Sequence, residues 1–355
     1  MKTTYDGLAA LGWNRWFAQR AAFAPGQTIA RVAAVDRDQW LLVDQTGHFR
    51  AVPAGNYRQQ HPLPHEKPCV GDWVCVLREP GGPGTILGLV ERRTVLRRKA
   101  AGTAVEYQMI AANVDNVMIV QSCHFDFNLK RLERYLVMVM DGGAEPCILL
   151  TKTDLVEAAI LASQVEEIRS SGITAPIVTL SNITGDGVEA LEYLLEPGKT
   201  YCFVGSSGVG KSTLINHLAG SEMLDTREVS GTGEGRHTTV RRELIHLKGG
   251  ALVIDNPGMR EFGLVGAEEG IRARYAEIAA LAARCRYRDC SHSGEPGCAV
   301  LAALNSDEID PGQLENYRQL RQESEFNDLS YVEKRKKDRD FGRFIKSAKK
   351  SMKRY

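Results

Sequence analysis

The stretch "GSSGVGKS" runs from Gly205 to Ser212, and "TKTD" runs from Thr151 to Asp154. The first has the G-x-x-x-x-G-K-S spacing of a phosphate-binding loop. The apolar "YCFV" before it reads as a strand, and "KSTLINHLAG" overlapping its end reads as a helix. Glycines let backbone N–H groups converge on phosphate oxygens, and the helix N-terminus adds its positive dipole end. Gly205, Ser206, Ser207, Gly208, Val209 and Gly210 would form the cradle, and Thr213 follows it in the first helical turn. Lys211 would reach the β- and γ-phosphates, and Ser212 would ligate Mg²⁺. The loop by itself does not separate ATP from GTP.

"TKTD" makes that separation. It ends the apolar run "CILL". A carboxylate at Asp154 accepts from the guanine N1–H and exocyclic amine together, a donor pair that adenine lacks. Lys152 would lay its stem along the base. Thr151 stands where asparagine is the commoner residue, which leaves one supporting hydrogen bond open. "TLS" (Thr179–Ser181) ends the next strand, and a backbone N–H near Ser181 is placed to meet the guanine O6. Asp255 and Gly258 in "DNPG" follow the strand "ALVI". Asp255 would hold the Mg²⁺ shell, and the Gly258 N–H would meet the γ-phosphate. Between the phosphate loop and "DNPG", "SGTGEGRHTTVRRE" reads as a switch loop in which Thr238 or Thr239 completes the magnesium coordination.

The base reader precedes the phosphate loop, whereas an ordinary GTPase has the reverse order. Rotating the whole list of motifs restores the usual order, and every piece still ends a strand. A circular permutation explains all five matches.

Strand alternates with helix from Asn113 to Gly258: fully apolar strands, helices such as "LKRLERYLVMVMDGGA" and "AAILASQVEEIRSSG". That pattern predicts a doubly wound, mostly parallel sheet. Upstream, "TIARVAAV", "QWLLVD", "HFRAVPAG", "DWVCVLRE" and "GTILGLVE" are five short β-rich runs between Asp-, Gly- and Pro-rich turns. They predict a small barrel of OB type. The expected division is an N-terminal extension over 1–27, the barrel over 28–100, the permuted GTPase domain over 101–267, and a helical zinc-binding domain with a basic tail over 268–355.

The zinc expectation rests on "CRYRDCSHSGEPGC". Cys285, Cys290, His292 and Cys298 offer three thiolates and one imidazole, a closed tetrahedral shell of the structural kind.

Composition bounds the rest. A hydrophobic fraction of 43% and a charged fraction of 25% are ordinary for a globular chain. No run approaches the ~18 apolar residues of a membrane span. The start lacks a basic end followed by an apolar run, so the cytoplasm is expected. A net charge of +1 hides an asymmetry: from Tyr331 to Tyr355 there are eleven Lys/Arg against three Asp/Glu. Concentrated positive charge at one end suggests an anionic polymer as partner. Arg92, Arg93, Arg97 and Arg98 at the barrel exit, with 334–337 in the tail, are the candidate RNA contacts.

The permuted order, the barrel and the Cys-Cys-His-Cys module together resemble the ribosome small subunit-dependent GTPase A family of circularly permuted ribosome-assembly GTPases. "GRHTT", "DNPGMREFGL", the cysteine cluster through "GCAV" and "KRKKDRDFGRFIK" carry the likeness. The resemblance implies an N-terminal OB-fold, a permuted GTPase domain and a C-terminal zinc domain. It implies binding to the small ribosomal subunit and its rRNA late in maturation, and slow GTP hydrolysis that the subunit stimulates. The expected groups are one Zn²⁺ and Mg²⁺ with GTP; a monomer without membrane attachment is expected. Many GTPases place a glutamine after D-x-x-G to orient water; here Met259 stands there, which predicts slow intrinsic turnover. His237 in the switch loop is the nearest polar candidate for that work, and a packing or RNA-contact role remains open for it. A P-loop ATPase or kinase, or a GTP-binding RNA scaffold with negligible turnover, are the competing readings.

Overall fold

The computed structural model describes residues 6–22, 24–37, 39–78, 82–99, 107–220, 242–256, 264 and 266–328. His237, Thr238, Thr239, Gly258, Met259 and the basic tail lie outside the described residues. Two compact units divide the chain: Met1–Arg97 with Met109–Glu261, and Arg98–Gln108 with Phe262–Tyr355.

In the first unit, alternating burial along short strands closes a barrel. Its strands are β1 (Gln27–Asp36), β2 (Gln39–Asp44), β3 (Gly47–Pro53), β4 (Trp73–Leu77) and β5 (Gly84–Leu89). The order β1-β2-β3-β5-β4 returns to β1, and only β3–β5 is parallel. This is the five-stranded barrel expected from the sequence. Val32, Trp40, Leu42, Val74, Val76 and Ile86 fill its interior. A second apolar cluster joins Ile29, Trp73 and Val90 to Leu8, Trp13 and Phe17. The N-terminal residues are therefore a cover for the barrel: a 3₁₀ turn (Asp6–Leu11) and α1 (Arg15–Ala18), whose N-cap Asn14 accepts from the Trp16 N–H. A second short helix, α2 (Gly55–Gln60), follows β3.

Arg31 is buried at this junction. It donates to the Leu11, Gly71 and Asn113 carbonyls and lies 5.4 Å from the Trp73 ring centroid. Burial lowers its pKa to about 10, against the attraction of Asp115 and Asp72. Three carbonyls from separate segments are satisfied by one guanidinium, which suits its five fixed donors.

A two-stranded ribbon, β6 (Val95–Lys99) and β7 (Tyr107–Ala112), comes next. Then follow β8 (Asn116–Ser122), α3 (Leu129–Asp141), β9 (Glu145–Thr151), α4 (Ala158–Ser170), β10 (Ile177–Thr179), α5 (Val188–Leu194), β11 (Thr200–Val204), α6 (Lys211–Ala219), β12 (Glu243–His246) and β13 (Leu252–Asp255). The strand order is β10-β9-β8-β11-β13-β12, parallel except for β12 against β13. Strands β8, β9 and β11 are almost wholly buried, as a sheet covered on both faces requires. On α3, Leu132, Tyr135, Leu136 and Val139 recur at three- and four-residue steps and are buried. The helix stops at Gly142, where a Cβ would lie 2.2 Å from the Val95 carbonyl oxygen. Strand β12 also pairs with β1 through Ala34 and Glu243, so barrel and α/β sheet are one continuous eleven-stranded sheet.

The second unit is helical: α7 (Glu268–Arg274), α8 (Ala276–Ala282), α9 (Ala299–Asn305) and α10 (Pro311–Asp328). Ile271, Tyr275, Ile278, Val300, Leu314 and Tyr317 are its buried apolar residues. The last turns of α10 hold the chain entering α7: Ser324 accepts from the Ala267 N–H, and Asn327 donates to the Leu264 carbonyl. Lys99 donates to Asn327 and ties in the 98–108 segment. Among the described residues no helix is long and apolar enough to cross a membrane.

Candidate functional site

Every described nucleotide-site motif stands at the carboxyl edge of the parallel strands, where open α/β sheets build their ligand sites. Register makes this so. Ser122 at the end of β8 is opposite Thr151 at the end of β9; Val204 ends β11, beside β8, and Asp255 ends β13, beside β11.

The loop after β11 turns through Gly205 (φ +149°) and Gly210 (φ +99°) before α6 begins. Neither accepts a side chain: a Cβ on Gly205 would lie 2.2 Å from the Val120 carbonyl oxygen, and one on Gly210 would lie 2.8 Å from Asn182 Nδ2. Lys211 is buried and donates to the Gly205 and Ser206 carbonyls at 2.8 and 2.6 Å. Burial lowers its pKa to about 8, opposed by the carboxylates of Asp255 and Asp126. Asp255 is itself 2% exposed, and its Oδ1 has no hydrogen-bond partner among the described residues. Burial raises its pKa, and Lys211 opposes the rise. Such a buried carboxylate oxygen beside a lysine suits a hydrated divalent cation, so Asp255 fits the magnesium role assigned to it. Ser212 is half-buried and Thr213 exposed at the start of α6.

The base reader is bolted to this loop. Thr151 is fully buried, and its hydroxyl donates to the Val209 carbonyl at 2.6 Å. The threonine thus ties the T-K-T-D segment to the phosphate-type loop. Ser181 Oγ donates to Asp154 Oδ1 at 2.5 Å and orients that carboxylate. Lys152 adopts the left-handed region (φ 62°, ψ 38°), uncommon for a side chain of this kind. Asn182, not singled out from the sequence, is a second bolt: its amide donates to the Gly210 carbonyl at 3.0 Å. Asp126 is another addition. It is ion-paired with Arg131 at 2.7 Å, and its Oδ2 is buried without a partner among the described residues; burial raises its pKa, opposed by Arg131, by a hydrogen bond with the Ser206 side chain and by Lys211. No spacing rule reaches either residue, because both lie in loops that meet the phosphate loop only in three dimensions.

The arginines expected to face RNA are occupied. Arg92 makes a paired contact to both Asp72 oxygens and donates to the His65 and Lys67 carbonyls. Arg93 pairs with Asp115, Arg97 with Asp141, and Arg98 with Gln108. They tie β6 and its approaches to the fold.

In the second unit, the ligand atoms of Cys285, Cys290, His292 and Cys298 all lie within 4.8 Å of one another. A tetrahedron with Zn–S of about 2.3 Å has S–S edges of about 3.8 Å. The Cys285–Cys298 sulfur separation is 3.8 Å, and His292 Nδ1 lies 3.7 and 3.4 Å from those two sulfurs. Burial lowers the His292 pKa, which favours the neutral ring a metal needs. The cluster could hold one zinc ion. Glu295 braces the loop by accepting from the Ser291 N–H and hydroxyl and from the Ser293 and Gly294 N–H groups. Those bonds, Ser291's first, hold its carboxyl well below the usual carboxylate range.

A phosphate-type loop at the centre of a sheet, a base reader that precedes it in the chain, a β-barrel before them and a Cys₃His cluster behind define a circularly permuted P-loop GTPase. Residues 89–265 match the family model described as RsgA GTPase. The chain is 42% identical over 334 residues to the small ribosomal subunit biogenesis GTPase RsgA of Opitutus terrae, covering 90% of each. It is 38% identical over 352 residues to RsgA 2 of Vibrio parahaemolyticus, covering 97% of this chain and 93% of that one. The crystal structure of YjeQ from Thermotoga maritima superposes with a TM-score of 0.62 at 27% identity, over 83% of this chain and 97% of that one. YloQ, titled a circularly permuted GTPase, shares the fold with a TM-score of 0.59 at 22% identity, over 89% and 99%. The chain belongs to the RsgA GTPase family, and it is a GTP hydrolase.

Proposed function

We propose that this GTPase binds the small ribosomal subunit late in its maturation and hydrolyses GTP to GDP and phosphate when the subunit stimulates it. One observation carries the GTP half: the Thr151 hydroxyl joins base reader to phosphate loop, so base and triphosphate are gripped by one rigid edge. The ribosomal half rests on the names of the relatives at about 40% identity and on the basic tail. In this reading the protein acts in the cytoplasm, as a monomer without membrane attachment.

In this reading Asp154 and Lys152 select guanine, with Ser181 orienting the first. Gly205 to Thr213 cradle the phosphates, and Lys211 turns from the loop carbonyls to the β- and γ-phosphates. Ser212 and Asp255 hold Mg²⁺, with Thr238 or Thr239 added from the switch loop. Mg²⁺ there offsets the charge that develops on the phosphate oxygens. The Gly258 N–H meets the γ-phosphate. With Met259 after D-x-x-G, His237 positions the attacking water.

Lys211 gives the binding step a pH dependence. Its pKa is about 8 in the protein, and a bound polyphosphate raises it. Binding then takes up a proton above pH 8, so GTP affinity falls as pH rises through that value. Calorimetry in buffers of different ionisation enthalpy reads the uptake directly; no proton uptake at pH 8.5 would refute a Lys211 pKa lowered by burial.

The test of the whole reading is GTP turnover with and without purified small subunits, at low and moderate salt. Strong stimulation by that subunit is expected, and it should weaken as salt screens phosphate contacts. His237→Ala should lower the stimulated rate and leave GTP affinity intact. Tight GTP binding without stimulated turnover would instead mark an RNA-bound scaffold.

A further inference from the structure

Phe125 is three residues past the end of β8 and is a large aromatic that is 57% exposed. Beneath the Lys152 ammonium lies its ring: Nζ is 4.5 Å from the ring centroid. The two meet because Ser122 and Thr151 are partners in register, which brings the loops leaving β8 and β9 side by side. His124 stacks edge-on against the same ring at 6.1 Å. The Lys152 backbone is fixed in the left-handed region, with Thr151 bolted on one side and the Leu155 N–H donating to the Lys152 carbonyl on the other.

We propose that Phe125 is a positioning residue for the guanine site, its ring holding the Lys152 ammonium so that the lysine stem is already laid out when the base arrives. The inference rests on the guanine-site reading given above. A lysine stem has four rotatable bonds, and its freedom is lost whenever it packs on a base. A cation held over an aromatic face has surrendered part of that freedom beforehand, which is preorganisation. The face must be aromatic: leucine fills similar space but has no negative π-surface for an ammonium.

The experiment uses the full chain. GTP and GDP dissociation constants, with KM and kcat, are measured for Phe125→Leu, Phe125→Tyr, Lys152→Met and the Phe125→Leu/Lys152→Met pair. Phe125→Leu should weaken both nucleotides about three- to tenfold, the loss falling on Kd and KM more than on kcat. Phe125→Tyr should restore them. In the Lys152→Met background, Phe125→Leu should have no further effect. Unchanged affinity in Phe125→Leu, failure of Phe125→Tyr to restore it, or an undiminished effect in the Lys152→Met background would overturn the proposal. Asp154→Asn separates this from the underlying reading: if that variant changes base preference and Phe125→Leu binds as the parent does, only the role of Phe125 falls.

Discussion

Asp154→Asn is expected to turn a guanine site into a xanthine site. In the proposed site the carboxylate would accept from the guanine N1–H and 2-amino group; an asparagine amide offers one acceptor and one donor. Its N–H₂ would then face the 2-amino group, donor against donor. Xanthine carries an oxygen at that position and accepts instead. A buried polar group left facing the wrong partner is costly, and sites built on hydrogen bonds discriminate steeply. GTP affinity should fall by about 100-fold or more and XTP affinity should rise by a comparable factor. Ser181 donates to Asp154 Oδ1, and its hydroxyl can serve an asparagine carbonyl equally well, so the side chain stays oriented. Asp154 is exposed, so the fold is not at stake. Competition binding with GTP and XTP decides it. Retained preference for GTP would move the base reader elsewhere.

Zinc removal should have the second large effect. Cys290, His292 and Cys298 are 5%, 1% and 6% exposed, and each lies within reach of the others. Without a metal, mutual burial of three thiols and an imidazole has little to offset it. Structural zinc contributes about 10–16 kcal/mol at neutral pH in zinc-finger peptides, as much as the entire stability of a typical domain. The thiol of Cys298 also caps α9, accepting from the Leu301 N–H, so the loss would reach the helices. Cys290→Ser or strong chelation should abolish cooperative unfolding of the second unit, seen by calorimetry, with one zinc lost per chain. GTP binding should persist, because the phosphate loop and base reader lie in the other unit. A metal-free protein with an unchanged thermal transition would refute the structural role.

Local patterns carried most of this architecture. The five barrel strands and the strands β8 to β11 and β13 follow from alternation, continuous apolar runs and turn residues, each visible within about ten residues. The phosphate loop and the cysteine cluster were legible because their chemistry forces a fixed spacing. What escaped was set by distance. Arg92 to Arg98 read as a basic surface, yet their acid partners lie at positions 72, 115 and 141. Charge in a sequence says nothing of what will pair with it. Asn182 and Asp126 escaped for a related reason, since each meets the phosphate loop across a fold that no window spans. Strand β12 is only four residues long and was hidden by its size; its reach to β1 is a tertiary fact.

The strand order bears on how the chain is made. Strand β11, which leads into the phosphate loop, sits between β8 and β13. A ribosome delivers β8, β9 and β10 first, so the base-reading half emerges with the inner edge of β8 unpaired. Such an edge is a template for wrong pairing. It stays open until β11 arrives, and β11 in turn waits for β13 to cover its other side. Strands β11, β12 and β13 thus fill the gap between β8 and the barrel strand β1, and the continuous sheet is closed last at its middle. An ordinary arrangement, with the phosphate-loop strand first, grows outward from that centre. The permuted order therefore predicts a slow late step in folding and a premium on chaperones that shield β8 during synthesis.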